Sequence, residues 1–177
     1  MSRNRDREAF AEFVAARSPG LQRAAYLMVG DVGLAQDLVQ EALAKTYVAW
    51  PRLRDAANAE AYTRKVITNT AITWFRRKGW YGERPVESLP ETASGGHADH
   101  VATRRTLLDA LAALPPRQRA AIVLRYYEDL TEAQTAAAMD CAVGTVKSQV
   151  AAGLNRLRDL LGGAVRLDDL LTAGGAA

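Results

Sequence analysis

A single cysteine, Cys141, in 177 residues leaves no internal disulfide to be made. No apolar run is long enough to span a bilayer or to form a signal-peptide core, so a cytoplasmic protein without membrane insertion is expected. The two histidines, His97 and His100, stand beside Asp99 in a glycine-rich stretch with no cysteine pair, which is not a metal-ligand pattern. The chain also lacks a Ser/His/Asp set, a phosphate-cradling glycine loop and paired inward carboxylates. No catalysis, cofactor, metal or small-molecule substrate is therefore expected. Aromatics make up only 7% against 49% hydrophobic residues, many of them alanine, and no alternating strand pattern competes. That composition points to an all-α fold with small, alanine-lined contacts.

Charge is present but unevenly spread. Residues 1–78 hold 13 Lys and Arg against 8 Asp and Glu, residues 79–103 hold 1 against 4, and residues 104–177 hold 9 against 8. The basic surplus sits in the first part, which is where an anionic partner would be met. Periodicity fails between Gly79 and Thr103, where glycine, proline, histidine and acidic residues take over. This stretch reads as a flexible linker joining two small helical domains, residues 5–78 and 104–163, with a short tail over 164–177.

In the first domain the spacing predicts a helix from Arg5 to Ala16 and a restart at Ser18-Pro19, with serine as N-cap and proline at the first helical position. A third helix, capped by Asp31, carries Ala35, Leu38, Val39, Ala42 and Thr46 on its apolar side up to Trp50, where Pro51 ends it. Asp37, Gln40 and Glu41 then share the outer side, an acceptor-rich edge suited to arginines on a partner helix. After a loop over residues 50–58, Asn58 is a candidate cap for a helix from Ala59 to Lys78. The end of that helix gathers amide, hydroxyl, aromatic and cationic groups: Asn69, Thr73, Trp74, Phe75, Arg76, Arg77 and Lys78. Such a mixture suits nucleic acid. Trp74 and Phe75, about 100° apart on a helix, cannot both face outward, so one belongs to the core.

The second domain opens with a helix over residues 104–114, stopped by Pro115-Pro116, and a further helix from Arg117 to Tyr127. Thr131 can cap a short alanine-rich helix, and after a break at Met139-Asp140-Cys141 another helix begins near Val143. Two short helices with a tight turn form a helix-turn-helix, whose second helix offers its N-terminal residues Thr145, Lys147, Ser148 and Gln149 to the DNA major groove. Cys141 lies in the corner as a small packing residue.

The order Asp37-Leu38-Val39-Gln40-Glu41-Ala42, Ala49-Trp50, Thr68-Asn69-Thr70, Trp74-Phe75-Arg76-Arg77, Leu114-Pro115-Pro116-Arg117-Gln118-Arg119 and Gly144-Thr145-Val146-Lys147-Ser148 resembles an extracytoplasmic-function (group four) RNA polymerase sigma factor of the sigma-70 superfamily, in its actinobacterial subset. The resemblance spans roughly residues 10–161. It implies a region-two helical bundle and a region-four helix-turn-helix that direct core polymerase to promoters and start transcription. Asp37, Leu38, Gln40 and Glu41 would meet the β′ clamp of core RNA polymerase, with the β flap a second contact. The single-stranded minus-ten element would be read by Trp50, Arg52, Arg54, Asn58, Arg64, Lys65, Asn69, Thr73, Trp74, Arg76, Arg77 and Lys78. Arg117, Arg119, Thr145, Lys147, Ser148, Gln149 and Arg156 would serve the minus-thirty-five element. An anti-sigma protein is a further partner that the resemblance leaves open.

This chain departs from the family pattern in its last motif. It has Ala142 where a cap is common, Gln149 where an arginine is common, and Ala151-Ala152 where serine and arginine are common. Up to two cations are therefore missing from the DNA-facing part, which shifts the weight of promoter binding toward the basic first domain. The alternative is a stand-alone helix-turn-helix regulator, which needs no polymerase and usually dimerises to present two half-sites. The acceptor edge at Asp37 to Glu41 argues against it. A small nucleic-acid enzyme would need a carboxylate or histidine cluster that the chain lacks.

Overall fold

The computed structural model describes residues 2–53, 55–79 and 98–162; Arg54, most of the expected linker and the expected tail lie outside them. Helix α1 runs from Ser2–Val29, α2 from Val32–Leu53 and α3 from Ala56–Lys78; α4 covers Ala98–Ala112 and α5 Pro116–Ile122, continued by a π-helical turn over Val123–Tyr127. The short α6 (Glu132–Met139) and the longer α7 (Val143–Leu160) complete the helix-turn-helix. There is no strand among the described residues.

The first helix is unbroken where a restart was expected. Pro19 sits inside α1 and deprives the Ala15 carbonyl of its donor, but both residues are exposed, so water can replace the lost bond. Packing of Phe13, Leu21, Ala24, Ala25 and Met28 on either side of the proline holds the two halves in one line. Pro51 is likewise within the last turn of α2 rather than past its end. The affected carbonyl belongs to the exposed Tyr47. The expected loop over 50–58 shrinks accordingly, because α2 reaches Leu53 and α3 begins at Ala56.

Asp31 caps α2 as expected, accepting from the Leu34 amide at 2.6 Å. The cap of α3 is Asp55 and not Asn58: the Asp55 carboxylate accepts from the Asn58 amide at 2.7 Å and from its side chain at 3.0 Å. Aspartate brings a full charge to the positive helix end, and so wins over an amide three residues later. The fourth helix starts at Ala98, so residues 98–103 of the expected linker are helical. Pro116 opens α5 as expected.

The first three helices form an antiparallel bundle around Leu21, Ala25, Leu38, Val39, Ala42, Ile67 and Ala71. Thr46 and Thr63, both fully buried, hydrogen-bond to each other at 2.8 Å and tie α2 to α3. A second apolar cluster joins Leu107, Leu111, Ile122 and Leu157 from α4, α5 and α7 with Leu114 from the turn between α4 and α5. The two parts are not independent. Ala120, Val123, Leu124, Leu130, Ala136, Met139 and Val146 belong to the same apolar cluster as the first bundle.

Candidate polymerase and nucleic-acid interfaces

On α2, the alternation of apolar and polar residues turns Asp37, Gln40 and Glu41 outward, and all three are exposed. Lys45 already pairs with Glu41 at 2.6 Å. Leu38 does not join them: it is 4% exposed and part of the bundle core, because its position repeats with Ala35 and Ala42 on the inner stripe. The structure adds one more residue to this edge. Val48 is 80% exposed, eleven residues after Asp37 on the same helical stripe, so the acidic edge ends in an uncovered apolar surface.

Trp50 is held by α1 rather than displayed. Its ring lies 5.1 Å from Phe10, edge-on, and 5.4 Å from Phe13, with Tyr47 closing the group 5.0 Å from Phe10. Arg52 and Asn58 are exposed, the latter in the first turn of α3. Further along α3, Phe75 is the buried member of the aromatic pair and Trp74 the half-buried one, their rings 4.8 Å apart and nearly perpendicular. Lys78 lies over the Trp74 ring at 5.7 Å. Arg76, Arg77 and Lys78 are exposed, and Thr73 is half-buried.

The middle of the same helix is covered by the second domain. Arg64 Nε donates to Glu128 at 2.7 Å and its terminal nitrogen to Glu60 at 2.9 Å, and Glu60 also pairs with Arg17 at 3.2 Å. Lys65 pairs with Asp140 at 3.0 Å, and the Asn69 side chain donates to the Ala138 carbonyl at 2.9 Å. Glu128 and Asp140 were not singled out from the sequence. Only the three-dimensional approach of α6 to α3 reveals them, since each lies at least 64 residues from its partner.

The helix-turn-helix is built as its sequence implies. Thr131 and Gln134 cap α6 reciprocally, and Asp140 takes the left-handed conformation (φ 55°) that turns the chain toward α7. Ala142 gives α7 no side-chain cap. Lys147, Ser148 and Arg156 are exposed, while Thr145 and Gln149 are half-buried. Lys147 is 3.6 Å from Glu132 and the Ser148 hydroxyl donates to the Thr145 carbonyl at 2.9 Å. Arg117 is exposed.

Arg119 is not a surface cation. It is 2% exposed, with one terminal nitrogen donating to the Met28 carbonyl at 3.0 Å, the other to the Ala112 carbonyl, and its guanidinium 5.3 Å from the Phe75 ring. Burial lowers its pKa well below the usual arginine range, to about 10, so it stays charged at neutral pH. It cannot reach DNA in this arrangement; it joins α1, α3 and α4 instead. The carbonyls come from the last turns of α1 and α4, where the helix dipole favours a cation.

No group of histidine, cysteine, aspartate and glutamate capable of holding a metal occurs among the described residues. No helix there is long and apolar enough to cross a membrane.

Comparisons with known proteins agree with this layout. The chain matches the sigma-70 region 2 model over residues 13–81 and the sigma-70 region 4 model over residues 104–157. The RNA polymerase sigma-E factor of Streptomyces coelicolor is 41% identical over 152 residues, covering 86% of this chain and 85% of its relative. A more distant relative, the extracytoplasmic-function RNA polymerase sigma factor SigW of Bacillus subtilis, is 26% identical over 173 residues, with 88% and 90% covered. Among solved structures, the sigma factor RpoE of Bartonella quintana in complex with the anti-sigma factor NepR is similar with a TM-score of 0.70 at 26% identity, covering 88% of this chain and 98% of that one. The chain belongs to the extracytoplasmic-function sigma factors of the sigma-70 family, which direct RNA polymerase to promoters at the start of transcription.

Proposed function

We propose that residues 5–78 form the module that docks on core polymerase and holds the melted minus-ten element, and that residues 104–163 form the module that reads the minus-thirty-five element. The polymerase edge is Asp37, Gln40 and Glu41, extended by Val48. Their carboxylate and amide oxygens can accept from arginines of the β′ clamp, and the valine can lie against its apolar stems. On α3, Asn69 and Thr73 offer hydrogen bonds to an unstacked base and Trp74 a stacking face, while Arg64, Lys65, Arg76, Arg77 and Lys78 neutralise phosphates. Arg117, Lys147, Ser148 and Arg156 serve the upstream element, with the second domain meeting the β flap. The protein acts in the cytoplasm beside its polymerase and catalyses no reaction of its own. An anti-sigma protein is a further partner, in keeping with the one bound to the Bartonella relative.

The observation that carries this reading is the division of one bundle into two exposed surfaces of opposite chemistry, acceptors on α2 and cations at the end of α3. A stand-alone regulator has no use for the first. The test is Asp37→Arg combined with Glu41→Arg. The double variant should lose co-elution with core polymerase and promoter-directed transcription in vitro, with an unchanged circular dichroism spectrum. Undiminished co-elution would remove the α2 edge from the interface.

A further inference from the structure

From Val143 to Gly153, the part of α7 that enters a major groove first, Lys147 is the only basic residue. A lysine by itself is a flexible point charge that can donate to a phosphate or to any acceptor on a base edge, so it discriminates poorly between bases. Here it does not stand by itself. Its ammonium lies 3.6 Å from a carboxylate oxygen of Glu132, in the first turn of α6, and the two side chains are 62% and 43% exposed. That separation is too long for a hydrogen bond, so both groups keep their bonding capacity for a third partner. An ion pair so exposed adds little to stability. The Thr131 and Gln134 caps on either side of Glu132 fix the turn that carries it. Ser148, next to Lys147, donates its hydroxyl proton to the Thr145 carbonyl and so faces DNA as an acceptor. A carboxylate beside the groove repels phosphates, which calls for a compensating use.

We propose that Glu132 is a specificity-determining residue: with Lys147 it forms a donor–acceptor pair that reads one G·C base pair of the upstream element in one orientation. The proposal rests on the assignment of the second domain to that element. In the major groove guanine presents O6 and N7 as acceptors, and cytosine presents its N4 amino group as donor. O6 and N4 are hydrogen-bonded to each other and therefore about 2.9 Å apart, close to the spacing of the ammonium and the carboxylate. Lys147 donates to guanine while Glu132 accepts from cytosine N4. Reversing the base pair sets the ammonium against the amino donor and the carboxylate against O6, two repulsive contacts in place of two attractive ones. An A·T pair, with adenine in the guanine position, fails in the same way. A T·A pair keeps the order of acceptor and donor but puts a methyl group where guanine has N7, so it ranks between.

The test uses holoenzyme assembled from core polymerase and the full chain. It first selects promoters from a duplex pool randomised over the upstream element, and the selected duplex is then remade with each of the other base pairs at each position. Wild type should show one position at which G·C is preferred about tenfold over C·G and A·T, and by less over T·A. Glu132→Gln keeps the side-chain length, removes the charge and offers an amide that donates as well as accepts. In that variant the preference at this one position should collapse, preferences elsewhere should stay, and a scrambled upstream element should bind slightly tighter because a phosphate repulsion is gone. Added to Lys147→Ala, the same substitution should alter the preference less than it does in wild type, since the two side chains act as a unit.

Unchanged preferences at every position in Glu132→Gln would overturn the proposal. So would an equal change in affinity for all duplexes, since that would make Glu132 no more than a negative charge beside the phosphates. The underlying assignment has its own readout: if wild-type holoenzyme binds the selected and the scrambled upstream elements equally well, the second domain reads no such element and the role of the pair falls with it. Where scrambling weakens binding and Glu132→Gln leaves every preference intact, the assignment stands and the pair alone is wrong.

Discussion

Arg119 carries its charge into the interior without an ion-pair partner among the described residues, and its balance decides how the helices around it are joined. The pKa lowered by burial to about 10 corresponds to a penalty on the order of 3 kcal/mol. Two hydrogen bonds from a charged donor contribute about 1.5–3 kcal/mol each, and they work against both that penalty and the buried Nε–H, which has no acceptor among the described residues. Arg119→Ala should therefore destabilise the fold by about 2–4 kcal/mol, since it orphans one buried and one half-buried carbonyl and opens a cavity. Arg119→Met, which fills the space and removes the desolvation penalty, should cost about half as much. Urea unfolding checks both; an alanine variant as stable as wild type would show that the guanidinium adds nothing net. The folded and unfolded chains both keep this group protonated below about pH 10, so it gives stability no slope near neutrality. Above about pH 10, where the folded group loses its proton before the unfolded one does, the unfolded chain holds more protons at this position, and its contribution to stability rises with pH. The sequence presented Arg119 as one more cation near a helix-turn-helix. Its burial depends on Met28 and Phe75, which are remote in the chain, and no local pattern records that.

At the scale of elements, what was legible was local. Asp31, Thr131 and Pro116 mark helix starts through bonds and dihedrals confined to a single turn, and each stands where the pattern placed it. Pro19 and Pro51 were misread as boundaries because their cost depends on whether the stranded carbonyl faces water, which is a tertiary fact. The crossing of α5 and α7 was also invisible. It depends on Gly153, buried in α7, where an added Cβ would stand 2.6 Å from Ile122 Cδ1 and 3.4 Å from Gln118 Cβ. In an open helix, Gly→Ala would stabilise by about 1 kcal/mol. Here the clash should win, and Gly153→Ala should destabilise by about 1–2 kcal/mol net. Trimming the obstructing group in Gly153→Ala/Ile122→Val should recover part of that loss. Additive losses in the double variant, measured by denaturant titration, would show that the two side chains do not meet.

Over the whole molecule, the composition and the failure of periodicity after Gly79 pointed correctly to two helical parts, and the candidate surfaces at Asp37, Gln40, Glu41, Arg76, Arg77 and Lys78 were readable because exposed polar stripes are periodic. The closed arrangement was not readable, because the groups that create it are ordinary on each side: alanines and a methionine on α6, a phenylalanine on α3, and charges that pair only across the boundary. Leu38, Met28 and Phe75 share one apolar cluster with Ala120, Leu124, Met139 and Val146, so neither part can lose its packing without exposing surface of the other. Scanning calorimetry of the free protein should accordingly record one transition with calorimetric and van't Hoff enthalpies in agreement. Two separated transitions would mean that the boundary is crossed by contacts too weak to couple the parts. Weakening the boundary gives the directional check: Glu128→Gln/Asp140→Asn removes the ion pairs to Arg64 and Lys65 and leaves the shared apolar cluster intact, so its transition should move to lower temperature while remaining single. A split transition in that variant would assign the coupling to the charges instead of the apolar contact, and the shared core would then be a consequence of closure rather than its cause.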